Sequence, residues 1–334
     1  MSKSGIEVAN RYFRGWMFIG FSSAYPRGRI RKRTFMNEDC LVYRSESGKL
    51  NMIEPYCSHF GVNMATGKVI KDYIQCPMHG RTFDGDGTCR NARFRSIRSY
   101  PVAENRGLAF AYFDHPGVEP QWDHPQFLNE EEFPDILWRH ARVLELHHPS
   151  VPQNNAVDPR HFEHTHSMFG KVTQEGEFRA AGHEAFCTMG TELLPPLSKA
   201  AGGDTSEVVT YYSGFLNDYL QSRVGTKTQH LCNFLTVIEG KKCKLTQIGI
   251  GRKTRNPLKW FENVTSAFGS WYATYEDAPI WNNRKPQAPD NYPHQTDKAI
   301  AEFGAWVDSF EYTREPDEPL SATPQLTKLK VAQL

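Results

Sequence analysis

The chain contains no apolar run of about 18 or more residues, so no membrane-spanning helix is expected. Met1 to Asn10 lacks the apolar centre of a secretory signal, and a cytoplasmic location is the expectation. Neither sign of charge dominates: 39 Lys and Arg stand against 38 Asp and Glu, a net charge of +1. That balance gives no reason to expect nucleic acid or a membrane surface as a partner. The seven cysteines are odd in number and scattered, which argues against a disulfide scaffold. No internal repeat or low-complexity tract is visible, and no G-x-G-x-x-G opens a helix to receive a flavin or nicotinamide. What remains is a chain of 334 residues, long enough for two domains with separate cores.

Two of the cysteines sit in a specific pattern. Cys57-Ser58-His59 is followed, after sixteen residues, by Cys76-Pro77-Met78-His79. Each short segment pairs one thiolate with one imidazole. A Rieske [2Fe-2S] centre needs this mixture, two cysteines on one iron and two histidines on the other. A structural Cys2His2 zinc site uses the same ligands but groups both cysteines before both histidines. Pro77, Gly80 and Gly85-Asp86-Gly87 place the segments on tight turns between strands. The other five cysteines read as buried thiols, with Cys89 near the pattern but not required by it.

Strand-like runs surround these segments: Gly15 to Phe21, Cys40 to Arg44, Leu50 to Ile53, a hairpin around Lys71-Asp72, and Leu108 to Phe113. They predict a small antiparallel β domain. Arg27, Arg29, Arg31 and Arg33 alternate, with Lys32 among them, and would share one face of a strand. They read as a solvated sheet edge, or alternatively as a docking patch for an acidic electron donor.

Arg11-Tyr12-Phe13-Arg14-Gly15-Trp16, the two ligand segments and Gly85-Asp86-Gly87-Thr88-Cys89 resemble the N-terminal domain of Rieske non-haem iron oxygenases. Within that group the chain is most similar to the oxygenase component of 3-ketosteroid 9α-hydroxylase and related sterol oxygenases. The likeness covers the first 120 residues well and the rest more loosely. It implies an α+β fold. An all-β Rieske domain would span residues 1–120. A catalytic domain of helix-grip (START-like) type, an antiparallel sheet with helices packed on it, would span 121–334.

Residues 114–134 carry four prolines and the acidic run Glu130-Glu131-Glu132, and read as the crossover. Strand-like runs follow at Val143 to Leu146, Val208 to Tyr212, Cys232 to Ile238 and Lys244 to Ile250. Between them Asn155 to His166 holds three histidines and two carboxylates in twelve residues. Two histidines, one carboxylate and open positions suit an oxygen-activating iron. Spacing alone does not choose among them. Asp158, His161 and His164 line up on a helix, whereas His161 and His166 lie about 140° apart, so pairing them needs the helix to end first.

A long helix is predicted from the Asn256 cap and Pro257, with Pro279 limiting it. Leu258, Phe261, Val264, Phe268, Trp271, Tyr272 and Tyr275 form its apolar side and are expected in the core. Asp277 extends the face of Ser266, Ser270 and Ala273, and spacing cannot exclude the adjacent Glu276 as a ligand. A second helix is expected within His294 to Asp308, and Arg314 to Leu334 is expected to wrap a neighbour or fray.

The resemblance supplies roles. Asn155-x2-Asp158-x2-His161-x4-His166 matches the oxygenase signature, which makes His161 and His166 ligands of a mononuclear Fe(II) and leaves His164 out. Asp277, preceding Ala278-Pro279-Ile280-Trp281, would be the third ligand. Cys57, His59, Cys76 and His79 would hold the [2Fe-2S] cluster. Asp158 would bridge the iron site to a cluster histidine of the next subunit in a head-to-tail homotrimer. The implied activity is that of a terminal oxygenase taking O2 and electrons from a separate NAD(P)H-dependent reductase or ferredoxin. It would hydroxylate a C–H bond of a steroid- or sterol-like substrate held in an apolar cavity between sheet and helices. Aromatic-ring hydroxylation, oxidative N- or O-demethylation, and a pure Rieske electron carrier are the alternatives.

Overall fold

The computed structural model describes residues 11–166, 169–195, 197–285 and 298–313. In the N-terminal part, aromatic and branched residues alternate with small ones and extend into strands. Gly15–Phe21 and Leu108–Phe113 pair antiparallel, with Val102–Asn105 on the far side of the latter. A four-stranded sheet runs Ile30–Phe35, Glu38–Arg44, Leu50–Ile53 and Ser99–Tyr100, and a three-stranded one runs Lys68–Ile70, Tyr73–Gln75 and Thr82–Phe83. Ile30–Phe35 is an edge strand that exposes Arg31, Lys32 and Arg33, and Lys32 pairs with Asp39 at 2.7 Å. Arg27 and Arg29 precede that strand, so the arginines do not form one strand face.

A buried ion pair closes this part. Arg98 donates to both carboxylate oxygens of Glu38 at 2.9 and 2.8 Å and to the carbonyl of Asp114 at 2.8 Å. The hydroxyl of Tyr100 donates to the same Glu38 carboxylate at 2.5 Å. The first described strand, Arg11–Phe13, pairs with the last, Glu311–Thr313, tying the N-terminal part to the C-terminal one.

The second part is built on one antiparallel sheet of seven strands: β1 (Asp135–Glu145), β2 (Phe169–Ala181), β3 (Glu184–Leu193), β4 (Thr205–Ser213), β5 (Asn217–Val224), β6 (Lys227–Glu239) and β7 (Lys242–Gly251). Their spatial order is β1-β7-β6-β5-β4-β3-β2, so the first strand crosses over to pair with the last. Its two faces differ, as alternation requires. One meets the N-terminal part: Phe234 stacks on Phe18 at 4.7 Å, and Thr236 donates to the carbonyl of Phe18 at 2.7 Å. The other is covered by helices α1 (Arg160–Thr165), α3 (Pro257–Asn283) and α4 (Lys298–Asp308), while the short α2 (Leu197–Ala201) lies in the connection from β3 to β4.

Helix α3 positions the site and departs from expectation twice. Its Asn256 cap accepts from the N–H of Leu258 at 2.9 Å, as predicted, but the helix runs through Pro279 to Asn283. Buried Trp281 and the Asn283 amide, which donates to the Pro279 carbonyl at 2.8 Å, hold that last turn despite the hydrogen bond that proline removes. The apolar side also faces the other way. Leu258, Phe261, Phe268 and Trp271 are 74%, 60%, 62% and 46% exposed. Ser266, Thr274 and Asp277 are buried instead.

The cause lies in the sheet beneath. His140, Gln247, Asn233, Asp218 and Tyr212 stand directly opposite one another on β1, β7, β6, β5 and β4, a polar row across one face. Asn233 donates to Asp218 at 2.7 Å and Gln247 donates to Asn233 at 2.7 Å. Thr274 donates to Gln247 at 2.7 Å and Ser266 to Gln229 at 3.0 Å. Such a row rejects an apolar helix face, because its amides would be left unpaired. The seam between α3 and the sheet at this row is thus polar and bridged.

In α4, Ala299, Phe303, Trp306 and Val307 face inward, with Ile300 packed beside them. The expected start at His294 and the segment from Arg314 lie outside the described residues.

Candidate metal centres

Both Cys-His segments fold into the same turn. The N–H of Gly61 returns to the carbonyl of Cys57 at 2.8 Å, and that of Gly80 to Cys76 at 3.1 Å. Each glycine lies four residues after its cysteine with φ near +67° and +66°, a conformation that penalises other residues. The cysteine N–H groups bond onward to the carbonyls of Val62 (3.0 Å) and Arg81 (2.7 Å), which makes each turn rigid.

Cys57 and Cys76 are buried at the tips, among Leu41, Ile53, Ile74 and Phe83. Burial pushes the Cys57 thiol up. The ring centroids of His59 and His79 lie 4.9 Å apart with their planes tilted by 60°, His79 exposed and His59 half-buried under Phe60, which stacks on it at 4.0 Å. Desolvation, and then the charges of His79 and Arg81, lower the pKa of His59, and its Nδ1 is buried without a partner. Two enclosed thiols and two rim imidazoles, one with an orphaned ring nitrogen, fit a cluster that takes two sulfur and two nitrogen ligands. Cys89 is buried in the same apolar group, and its thiol leans on Asn91 at 3.8 Å.

The second centre gathers residues distant in sequence. A 3-10 turn, Gln153–Val157, leads into α1, which ends before His166. That early end solves the angular problem: His166 adopts an extended conformation and swings back toward His161, with ring centroids 5.4 Å apart. Asp277 arrives from α3. Ligating atoms of His161, His166 and Asp277 all lie within 4.8 Å of one another. His164 is exposed and takes no part.

The surroundings orient each member. The Nδ1–H of His161 is held by the main-chain carbonyl of Asp158, which leaves Nε2 for the centre. The carboxylate of Asp158, half-buried, accepts from the N–H of Arg160 at 3.2 Å. His166 donates Nδ1–H to Glu276 at 2.8 Å and points Nε2 at Asp277, 3.5 Å away. Asn155 donates to Asp277 at 3.1 Å and is itself held by the indole of Trp281 at 3.4 Å.

Burial lowers the pKa of His161. Burial opposes protonation of His166 too, but the carboxylates of Asp277 and Glu276 together carry its pKa up. Two imidazoles and a carboxylate in a buried, electronegative pocket fit a divalent metal ion. A cleft of about 420 Å³ lined by Phe18, Lys32, Arg33 and Glu239 contains none of these residues.

Sequence reasoning offered Glu276 only as a competing ligand. The structure sets it on the Nδ1 edge of His166, away from Asp277, where one imidazole cannot share a single ion with it. Asn155 stood in the motif without a role, and nothing in the spacing linked it to Asp277 or Trp281.

Comparison with known proteins matches two families to successive stretches of the chain. Residues 15–101 match the family described as Rieske [2Fe-2S] domain, and residues 111–310 match the 3-ketosteroid 9α-hydroxylase C-terminal domain. Cholesterol 7-desaturase of Xenopus laevis is 32% identical over 174 residues, 48% of this chain and 37% of that protein. A probable 3-ketosteroid-9-alpha-monooxygenase, oxygenase component, of Rhodococcus rhodochrous is 30% identical over 218 residues, 60% of this chain and 51% of that protein. The chain thus spans about half, or less, of the length of these relatives. Dicamba monooxygenase bound to dicamba shares the fold, with a TM-score of 0.66 at 15% identity over 91% of this chain and 97% of that one. This chain itself has an N-terminal Rieske part and a C-terminal antiparallel sheet with few helices.

Proposed function

The chain belongs to the 3-ketosteroid 9α-hydroxylase family and carries a Rieske domain, and from this premise we propose that it is a terminal oxygenase. It would use O2 and electrons from a separate reductase or ferredoxin to hydroxylate a C–H bond of a steroid- or sterol-like substrate. One observation carries the reading: a two-histidine, one-carboxylate cluster, His161, His166 and Asp277, lies in the same chain as a Cys2His2 pair of turns. When bound, the [2Fe-2S] cluster supplies single electrons and a mononuclear Fe(II) supplies oxygen activation.

This chain's residues define what each centre permits. Cys57 and Cys76 would anchor the cluster inside the apolar group, while His59 and His79 at the rim would give electrons their exit. His161 and His166 present Nε2 because their Nδ1–H groups are engaged elsewhere. Asp158 fixes His161 through its main-chain oxygen, so its carboxylate remains available to meet a cluster histidine of a neighbour in a homotrimer. No described helix is long and apolar enough to cross a membrane, and a cytoplasmic location completes the proposal.

One feature favours a second reading, oxidative N- or O-demethylation of a more polar substrate. The sheet face under α3 carries His140, Gln247, Asn233 and Asp218 where a sterol would need apolar contacts. Turnover of a ligand panel distinguishes the two, through gain of one oxygen in the product or release of formaldehyde. Metal analysis tests the class. An oxygenase holds about three irons per chain, and about two would leave only a Rieske electron carrier.

A further inference from the structure

We propose that Glu276 is the positioning residue for the mononuclear site, holding His166 in the tautomer and orientation that direct its Nε2 toward the metal. The inference rests on His161, His166 and Asp277 being the ligands. The two histidines are secured differently. His161 sits within α1, and its Nδ1–H is taken by a main-chain carbonyl that no side-chain substitution removes. His166 lies past the end of α1 in extended backbone. Helical geometry therefore does not fix its ring.

The Glu276 carboxylate supplies that fixation, accepting Nδ1–H at 2.8 Å. A carboxylate on the outer nitrogen settles the tautomer, raises the basicity of the metal-facing nitrogen and restricts ring rotation. The contact is shielded, with the His166 side chain 2% and that of Glu276 18% exposed.

Placement on α3 makes the arrangement stiff. Glu276 and Asp277 are consecutive, so their side chains leave the helix about 100° apart. One rigid element thereby delivers a ligand and the support of a second ligand to opposite edges of the same imidazole. Tyr272, one turn earlier, hydrogen-bonds the same Glu276 carboxylate. The two carboxylates also balance the charge of a divalent ion, whereas either one alone would leave the buried site net positive.

The experiment uses the full chain with its cluster loaded and its mononuclear site stripped by chelation, titrated with Co(II) and followed by visible absorption. Wild type should bind one Co(II), and His161→Ala should abolish it. Glu276→Ala should weaken binding roughly 10–100-fold and shift the Co(II) ligand-field bands, with cluster absorption unchanged. Glu276→Gln keeps an acceptor oxygen without the charge and should recover part of the affinity and the wild-type band shape. Co(II) binding by Glu276→Ala within roughly two-fold of wild type, with unshifted bands, overturns the proposal. If that variant does not fold, Glu276→Gln decides: weakening of more than roughly three-fold supports the role, and less overturns it. Failure of wild type itself to bind Co(II) defeats the ligand assignment instead, so the two failures are distinguishable.

Discussion

Thr274 donates its hydroxyl hydrogen to Gln247 across 2.7 Å, about one helical turn before Asp277. The bond joins the helix that carries a candidate ligand to β7, the strand next to the β1 edge of the seven-stranded sheet. Thr274→Val would leave the Gln247 carbonyl oxygen buried without that donor, at a cost of about 1–3 kcal/mol. Urea unfolding should show that loss, and iron should leave the mononuclear site more readily under chelation. Unchanged stability and iron retention would mean that α3 is held by other contacts.

Replacing His161 separates the two centres. His161→Ala should lower bound iron from about three to about two per chain and abolish turnover, while the visible absorption of the cluster persists. Loss of the cluster spectrum along with the third iron would contradict independent sites.

Gly80 closes the second ligand turn at φ +66°. Gly80→Ala forces a Cβ into the left-handed region at roughly 1–2 kcal/mol. Strain at the turn should appear as a lower cluster content after purification, with far-UV circular dichroism unchanged. The equivalent change at Gly61, φ +67°, should act alike because the two turns have the same hydrogen bonds.

Arg98 and Glu38 form a buried pair whose side chains are 6% and 11% exposed. Removing one partner, as in Arg98→Met, strands the other charge, at about 3–5 kcal/mol. Thermal unfolding should fall accordingly. The double change Arg98→Met with Glu38→Gln should restore part of the loss, since no isolated charge remains.

Asp218 is enclosed, and burial pushes its carboxyl up to about 7 from 3.8, while the Asn233 amide pulls the other way. Its folded pKa lies above its unfolded one. The associated stability is therefore complete below about pH 4 and is lost as pH rises through about 7, on the order of 4 kcal/mol at most. Unfolding midpoints should decline between about pH 4 and 7 and level off above, and Asp218→Asn should flatten that decline. A variant with the wild-type pH profile would show that another group titrates.

The strands around the ligand turns were legible because their patterns are local. Gly15–Phe21, Leu50–Ile53 and Leu108–Phe113 occur with the bounds expected, since each is an aromatic or branched run stopped by a turn. The apolar stripe of α3 was legible too, but not its direction. Periodicity states that Leu258, Phe261, Phe268 and Trp271 share a side. It is silent on which side packs, and the polar row formed by Asp218, Asn233 and Gln247 on three successive strands, with His140 from the distant β1, exists only once their register is set.

The sequence by itself determined the chemistry available: paired thiolate–imidazole turns with a glycine four residues after each cysteine, and a histidine-rich segment in which a regular helix would set His161 and His166 about 140° apart. Such features are set by bond geometry within a few residues. Only the tertiary structure decided that Asp277 faces the histidines while Glu276 takes the outer edge of His166, and that Asp158 holds His161 through its backbone. Neighbouring carboxylates on a helix differ only by a rotation of about 100°, and that rotation is fixed by what the helix packs against.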